Sequence, residues 1–180
     1  MMRNLSLIAC WNNRSTALLM ALAAFAIGVA AVALASTLRL EACHLCIFQR
    51  LIYFVIAAVL LIAFFAWDPP LLRIASLAAS AGFSAWGMVV AAQQSWLQWF
   101  PDSGLSCTML EPGITERLID RLGEWYPLFF MATGFCGSKD LVIAGLTLAN
   151  WSFLILSAFL LGSIGLAWPA KTSGSRPCKR

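Results

Sequence analysis

The chain has 180 residues, 61% hydrophobic and only 11% charged, with a formal net charge of +4. Soluble domains carry about 25% charged residues, so this balance excludes an ordinary water-soluble domain. A lipid bilayer is the expected surrounding, and no nucleic-acid partner is expected.

Four long stretches lack charge altogether. They lie between Arg14 and Arg39 (24 residues), Arg50 and Asp68 (17), Arg73 and Asp102 (28), and Asp140 and Lys171 (30). About 20 apolar residues in a helix cross a hydrocarbon core of about 30 Å. A helix satisfies its own backbone hydrogen bonds in lipid, which an open sheet does not. The runs predict spans near 16–37, 46–67, 71–92 and 147–168. The expected fold is an all-α membrane protein, a single domain over 1–180 built as a bundle of four transmembrane helices. Loops 38–45 and 93–146 then lie on one side, and tails 1–15 and 169–180 on the other. Ala33-Leu34-Ala35 in the first span resembles a signal-peptidase site. That stretch is longer than a signal core and three more spans follow, so a retained span is expected.

The first loop and the start of the second span hold the most informative residues, Cys43-His44-Leu45-Cys46. Two thiols separated by two residues close a small, strained, easily reduced disulfide. Arg50 lies one helical turn after Cys46, and i,i+4 residues share a face. The run after Arg50 covers only about 25 Å at helical rise, so the span must borrow residues before it. The guanidinium is thereby expected slightly inside the lipid boundary. A cation there marks a functional site by default, the plainer reading being a side chain that snorkels to headgroups. A zinc site on Cys43, His44 and Cys46 is sterically awkward and lacks a second ligand pair. Attachment of a c-type haem needs a histidine at 47, where this chain has Ile47.

The long loop 93–146 opens on a turn signal at Phe100-Pro101-Asp102-Ser103-Gly104. After Pro112-Gly113, the stretch from Ile114 to Trp125 places Ile114, Leu118, Leu122 and Trp125 on one stripe. This predicts a short amphipathic helix lying on the membrane, with Trp125 and Tyr126 as interfacial anchors. The alternative is a solvated helix packed on the bundle. Cys136 stands among Gly134, Gly137 and Ser138, which predicts a mobile segment.

Lys and Arg placement sets the expected orientation. Arg3, Arg14, Arg73, Lys171, Arg176, Lys179 and Arg180 lie on the tail side, while the long loop sets Arg117, Arg121 and Lys139 against six acidic residues. Both termini are expected in the cytoplasm, with both loops outside despite Arg39. Cys43, Cys46, Cys107 and Cys136 then meet an oxidising compartment, and Cys10 and Cys178 stay reduced. Four outer cysteines allow three pairings. The natural split is Cys43–Cys46, local and strained, and Cys107–Cys136, which on spacing alone reads as an inert staple.

Cys43-His44-Leu45-Cys46-Ile47-Phe48-Gln49-Arg50 resembles the C-x-L-C-x-x-Q-R signature of the bacterial disulfide bond formation protein B (DsbB) family. The similarity extends over nearly the whole chain: four spans, a short first outer loop, a longer second loop with two cysteines, and a basic tail. Leu97-Gln98 before Pro101 and Trp151-Ser152 at the last span also resemble the family.

The resemblance implies a thiol:quinone oxidoreductase of the bacterial inner membrane. Such a protein reoxidises a periplasmic DsbA-type thiol oxidase and passes the electrons to ubiquinone or menaquinone from the membrane pool. Carried onto this chain, it makes Cys107 the residue attacked by the reduced partner, and Cys136 the leaving sulfur that goes on to Cys43. Cys46 is then freed beside the quinone ring, with Arg50 stabilising its charge. A second quinone-contacting position, histidine in some members, corresponds to Gln94, which can hydrogen-bond a carbonyl but cannot act as acid or base. Two other classes are weighed against this reading. An enzyme of the vitamin K epoxide reductase type carries its active C-x-x-C after the loop cysteines, the reverse of the order here. A non-enzymatic membrane protein would use its loop cysteines only as staples.

Overall fold

The computed structural model describes residues 2–38, 43–100, 114–125, 142–143 and 145–167. Among the described residues, five helices and a minimal hairpin follow in chain order: α1 (Met2–Thr37), α2 (His44–Phe65), α3 (Pro70–Trp99), α4 (Ile114–Trp125), β1 (Val142–Ile143), β2 (Leu146–Thr147) and α5 (Leu148–Ala167). Four of these helices are long and apolar enough to cross a membrane: α1 from Asn13, α2, α3 and α5. The protein is a multi-pass membrane protein.

The helix ends follow from local chemistry. At the end of α1, the Ser36 and Thr37 hydroxyls both donate back to the Ala33 carbonyl at 2.9 Å, local bonds within the last turn. α2 stops at Ala66, whose N–H closes onto the Ile62 carbonyl at 2.8 Å. Pro69 and Pro70 then start α3, with Pro69 as N-cap and Pro70 in the first turn, where a missing N–H costs nothing. α3 continues to Trp99, beyond residue 92 where the third span was expected to end. It stops where Pro101 forces Phe100 out of the helical region (φ −127°, ψ 70°). In the hairpin, Val142 pairs with Thr147 and Ile143 with Leu146. Gly145 has φ +79°, a conformation that side-chain-bearing residues rarely adopt, which permits the tight turn.

α3 packs most extensively on α5, α2 lies between α1 and α3, and α1 only brushes α5. Ile52, Ile56 and Leu60 of α2 meet Leu77 and Val90 of α3, Leu156 and Phe159 of α5, and Ala21 and Ala24 of α1 in one core. In lipid the attraction between helices comes from close packing and hydrogen bonds, so small residues at crossings matter. A Cβ at Gly87 would stand 2.9 Å from Leu156 Cδ1 and 3.3 Å from Ile52, so α2, α3 and α5 converge on a glycine. Polar cross-links add to this. Ser80 and Ser163 share a buried hydrogen bond of 3.0 Å, and Ser95 donates to Asn150 at 2.7 Å. Leu22 and Phe25 of α1, Val89 of α3 and Leu161 of α5 face outward, an apolar belt suited to acyl chains.

α4 lies on the end of the bundle where α2 begins and α3 finishes, packed on α2. Its residues 114–125 coincide with the expected amphipathic segment. The buried face differs from the expected stripe: Ile119 is wholly buried and Leu122 packs on the core, whereas Leu118 and Trp125 face out. The helix has two apolar rows, and the bundle takes Ile119 and Leu122.

Candidate thiol site

The site is built on the first turn of α2. Cys43 is the N-cap, in extended conformation (φ −81°, ψ 165°), and its Sγ accepts the Cys46 backbone N–H at 3.4 Å. A Ser or Asp oxygen does this at most helix starts. Here a sulfur takes the place, aimed at by the positive end of the helix dipole. The geometry turns Cys43 back over Cys46, and the two sulfurs lie 2.9 Å apart in thiol–thiol contact. Cys43 is buried, with 2% of its surface exposed, in the same apolar cluster as Ile119 of α4, whereas Cys46 is half-buried.

Helical spacing brings three further groups to this face. Cys46, Gln49, Arg50 and Tyr53 stand at i, i+3, i+4 and i+7 along α2. Arg50 is half-buried, one helical turn beyond Cys46, and near enough to both sulfurs for its charge to act on them. From α3, Gln94 donates through Nε2 to Cys46 Sγ at 3.0 Å and lies 3.8 Å from Cys43 Sγ. Gln49 donates in turn to Gln94 Oε1 at 2.9 Å. Tyr53 donates to the Ser152 carbonyl at 3.4 Å and so ties the same face of α2 to α5.

His44 points the other way. Its Nε2 meets Asp120 Oδ1 at 2.9 Å, pinning α4 to the start of α2 at a partly exposed pair. The imidazole therefore belongs to the α4 contact.

Of the residues singled out from the sequence, Cys43, Cys46, Arg50 and Gln94 come together. Cys107, Cys136 and Cys178 lie outside the described residues, and Cys10 is in the early turns of α1. Two participants received no role from the sequence. Gln49 stands in the signature octapeptide as a polar side chain within an apolar span, a signal in itself. Asp120 was legible only as one charge among several on α4.

Chemically, the site is a dithiol with an amide donor on its sulfurs and a cation one helical turn away, set at the end of an apolar bundle. It can exchange disulfides and hold negative charge on sulfur. Its donor set, a guanidinium and a carboxamide, also suits a carbonyl acceptor arriving from the lipid side.

Comparison with known proteins agrees with this chemistry. The family model "Disulfide bond formation protein DsbB" matches residues 13–166. A disulfide bond formation protein B of Dechloromonas aromatica (strain RCB) is 43% identical over 136 residues, covering 74% of this chain and 81% of that protein. One from Verminephrobacter eiseniae (strain EF01-2) is 34% identical over 172 residues, 89% of this chain and 91% of the relative. One from Nitrosomonas europaea (strain ATCC 19718 / CIP 103999 / KCTC 2705 / NBRC 14298) is 34% identical over 141 residues, 76% and 82% of the two chains. With its dithiol at the head of α2 in a four-helix membrane bundle, this chain belongs to the DsbB family of disulfide bond formation proteins.

Proposed function

We propose that this protein reoxidises a periplasmic DsbA-type thiol oxidase and delivers the two electrons to a membrane quinone. It works in the bacterial inner membrane with both termini in the cytoplasm. The observation that carries the reading is the dithiol at the mouth of an apolar bundle, with the Gln94 amide donating to Cys46 and the Arg50 charge one helical turn away.

In this reading Cys107 and Cys136 begin as a disulfide. A thiolate of the reduced partner attacks Cys107, forming a mixed disulfide and releasing Cys136 as a thiolate. The partner's second thiolate resolves the mixed disulfide, leaving the partner oxidised and Cys107 reduced. Cys136 attacks Cys43 of the Cys43–Cys46 disulfide and releases Cys46 as a thiolate, and Cys107 then attacks Cys136, restoring the loop disulfide and releasing Cys43. Because Cys43 is buried in the cluster that holds Ile119, its exchange requires α4 to shift. The exposed Leu118 and Trp125 of α4 suit a helix that rests on the lipid surface.

A quinone, when bound, supplies the two-electron sink that lets the dithiol return to a disulfide. Arg50 and Gln94 are the residues that would hold its carbonyl oxygen. Arg50 keeps its charge at any working pH and stabilises the Cys46 thiolate in a site partly withdrawn from water.

The test combines purified protein, a ubiquinone or menaquinone analogue and a reduced DsbA-type partner. The expected result is one quinone reduced per partner dithiol oxidised. Partner oxidation without loss of quinone absorbance would overturn the assignment.

A further inference from the structure

Gln49 and Gln94 are buried, 6% and 5% exposed, on two different helices. They form a directed chain: Gln49 Nε2 donates to Gln94 Oε1 at 2.9 Å, and Gln94 Nε2 donates to Cys46 Sγ at 3.0 Å. A carboxamide has an accepting end and a donating end, and rotation by half a turn exchanges them. With Oε1 toward the dithiol, an oxygen lone pair would face the sulfur lone pairs, a contact that only a protonated thiol tolerates. With Nε2 toward it, the amide serves a thiolate. Gln49 occupies the Oε1 end, and little water reaches the buried pair to replace it.

We propose that Gln49 and Gln94 form an amide dyad that keeps a hydrogen-bond donor on the Cys46 sulfur. Gln94 makes the contact, and Gln49 is a positioning residue that fixes which end of the Gln94 amide faces the dithiol. The inference rests on the reading of Cys43–Cys46 as the working pair and adds a second stabiliser to Arg50. The two differ in kind. Arg50 acts through charge, whereas the amide acts through a directed bond that does not titrate, so it serves the thiolate at any pH where the thiolate exists. The same –NH₂ also lies 3.8 Å from Cys43 Sγ, so it sits beside both sulfurs as the pair opens and closes.

The test uses the full-length protein, reduced, with neither quinone nor partner. Only the thiolate is alkylated, so the iodoacetamide rate at Cys46, followed by mass spectrometry of its peptide at one fixed pH, reads the sulfur directly. Gln94→Met keeps an unbranched chain of similar length and removes the donor. It should slow Cys46 alkylation about tenfold, the scale of one hydrogen bond to a charged group. Gln49→Met should slow it by a smaller factor in the same direction. The double variant should match Gln94→Met alone, because a positioning residue has nothing left to position. In a glutathione redox buffer, Gln94→Met should favour the Cys43–Cys46 disulfide by a similar factor, since the reduced form has lost its stabiliser. Should Gln94→Met fail to fold, Gln94→Leu also removes the donor without adding a titratable group, and the same slowing is expected.

Alkylation within twofold of wild type in a folded Gln94 variant would overturn the dyad. So would a double variant slowed by the full product of the two single effects. Because neither measurement involves electron delivery, these failures would leave the proposed function standing. Conversely, a chain that does not reduce quinone could still show the dyad.

Discussion

Arginines occur at both ends of the bundle, and the two ends use them differently. At the end where α3 begins, Arg14 lies over the Phe64 ring at 4.6 Å and Arg73 over the Trp67 ring at 5.3 Å. At the other end, Arg50 lies one helical turn beyond Cys46, near enough to both sulfurs for its charge to act on them. Guanidinium on an aromatic face is an anchor, suited to a boundary where one side is apolar and the other wet. Guanidinium beside a dithiol is positioned for charge that develops during a reaction. The comparison bears on the plainer reading of Arg50 as a snorkelling side chain. Arg14 and Arg73 show what anchored arginines in this bundle look like, and Arg50 has different company.

The largest effects should fall on the cysteines at the reactive end and in the loop joined to it. Cys43→Ser, Cys46→Ser, Cys107→Ser and Cys136→Ser should each abolish partner-dependent quinone reduction, while Cys10→Ser and Cys178→Ser should leave it intact. Full turnover in Cys136→Ser would remove the relay between loops. At the anchoring end the effects should be modest and confined to stability. Arg14→Ala or Arg73→Ala should each cost about 0.5–1 kcal/mol in a denaturant titration in mixed micelles, with quinone kinetics unchanged. A raised apparent KM for quinone in Arg73→Ala would erase the distinction between the ends. The smallest effect should come from the partly exposed His44–Asp120 contact that pins α4. Asp120→Ala should cost at most about 1 kcal/mol, a loss that shrinks as salt is added.

Much of this organisation was legible because lipid is a demanding solvent. Charge-free runs of adequate length leave a chain few options but to span, and the bundle follows from them. The end of α3 was harder to read. Gln93, Gln94 and Gln98 break the apolar run near residue 92, yet the helix continues to Trp99. Gln94 has its partners inside the bundle, in Cys46 and Gln49, so its polarity does not mark a loop. The bundle-facing row of α4 was obscured for a related reason. Its apolar residues serve two surroundings, and spacing alone does not say that Ile119 faces the protein while Leu118 faces out.

At the site, Cys43, Cys46 and Arg50 were readable because the spacing lies within one helix start. The part played by Gln49 was not, because its partner lies 45 residues away on another helix. No local pattern encodes a contact of that kind. The N-cap role of Cys43 also escaped the sequence, since it depends on the helix starting at His44, ahead of Cys46.

The most direct test of the contrast between the two ends is the quinone dependence of Arg50→Ala, measured as quinone reduction at varied quinone concentration with saturating reduced partner. The apparent KM for quinone should rise about tenfold or more, the scale of a lost charge-assisted hydrogen bond, with the partner's KM nearly unchanged. Arg50→Lys should recover part of the loss, since an ammonium keeps the charge without the planar fork. Wild-type quinone kinetics in Arg50→Ala would make Arg50 an anchor like Arg14 and Arg73, and would place the quinone elsewhere around Cys46.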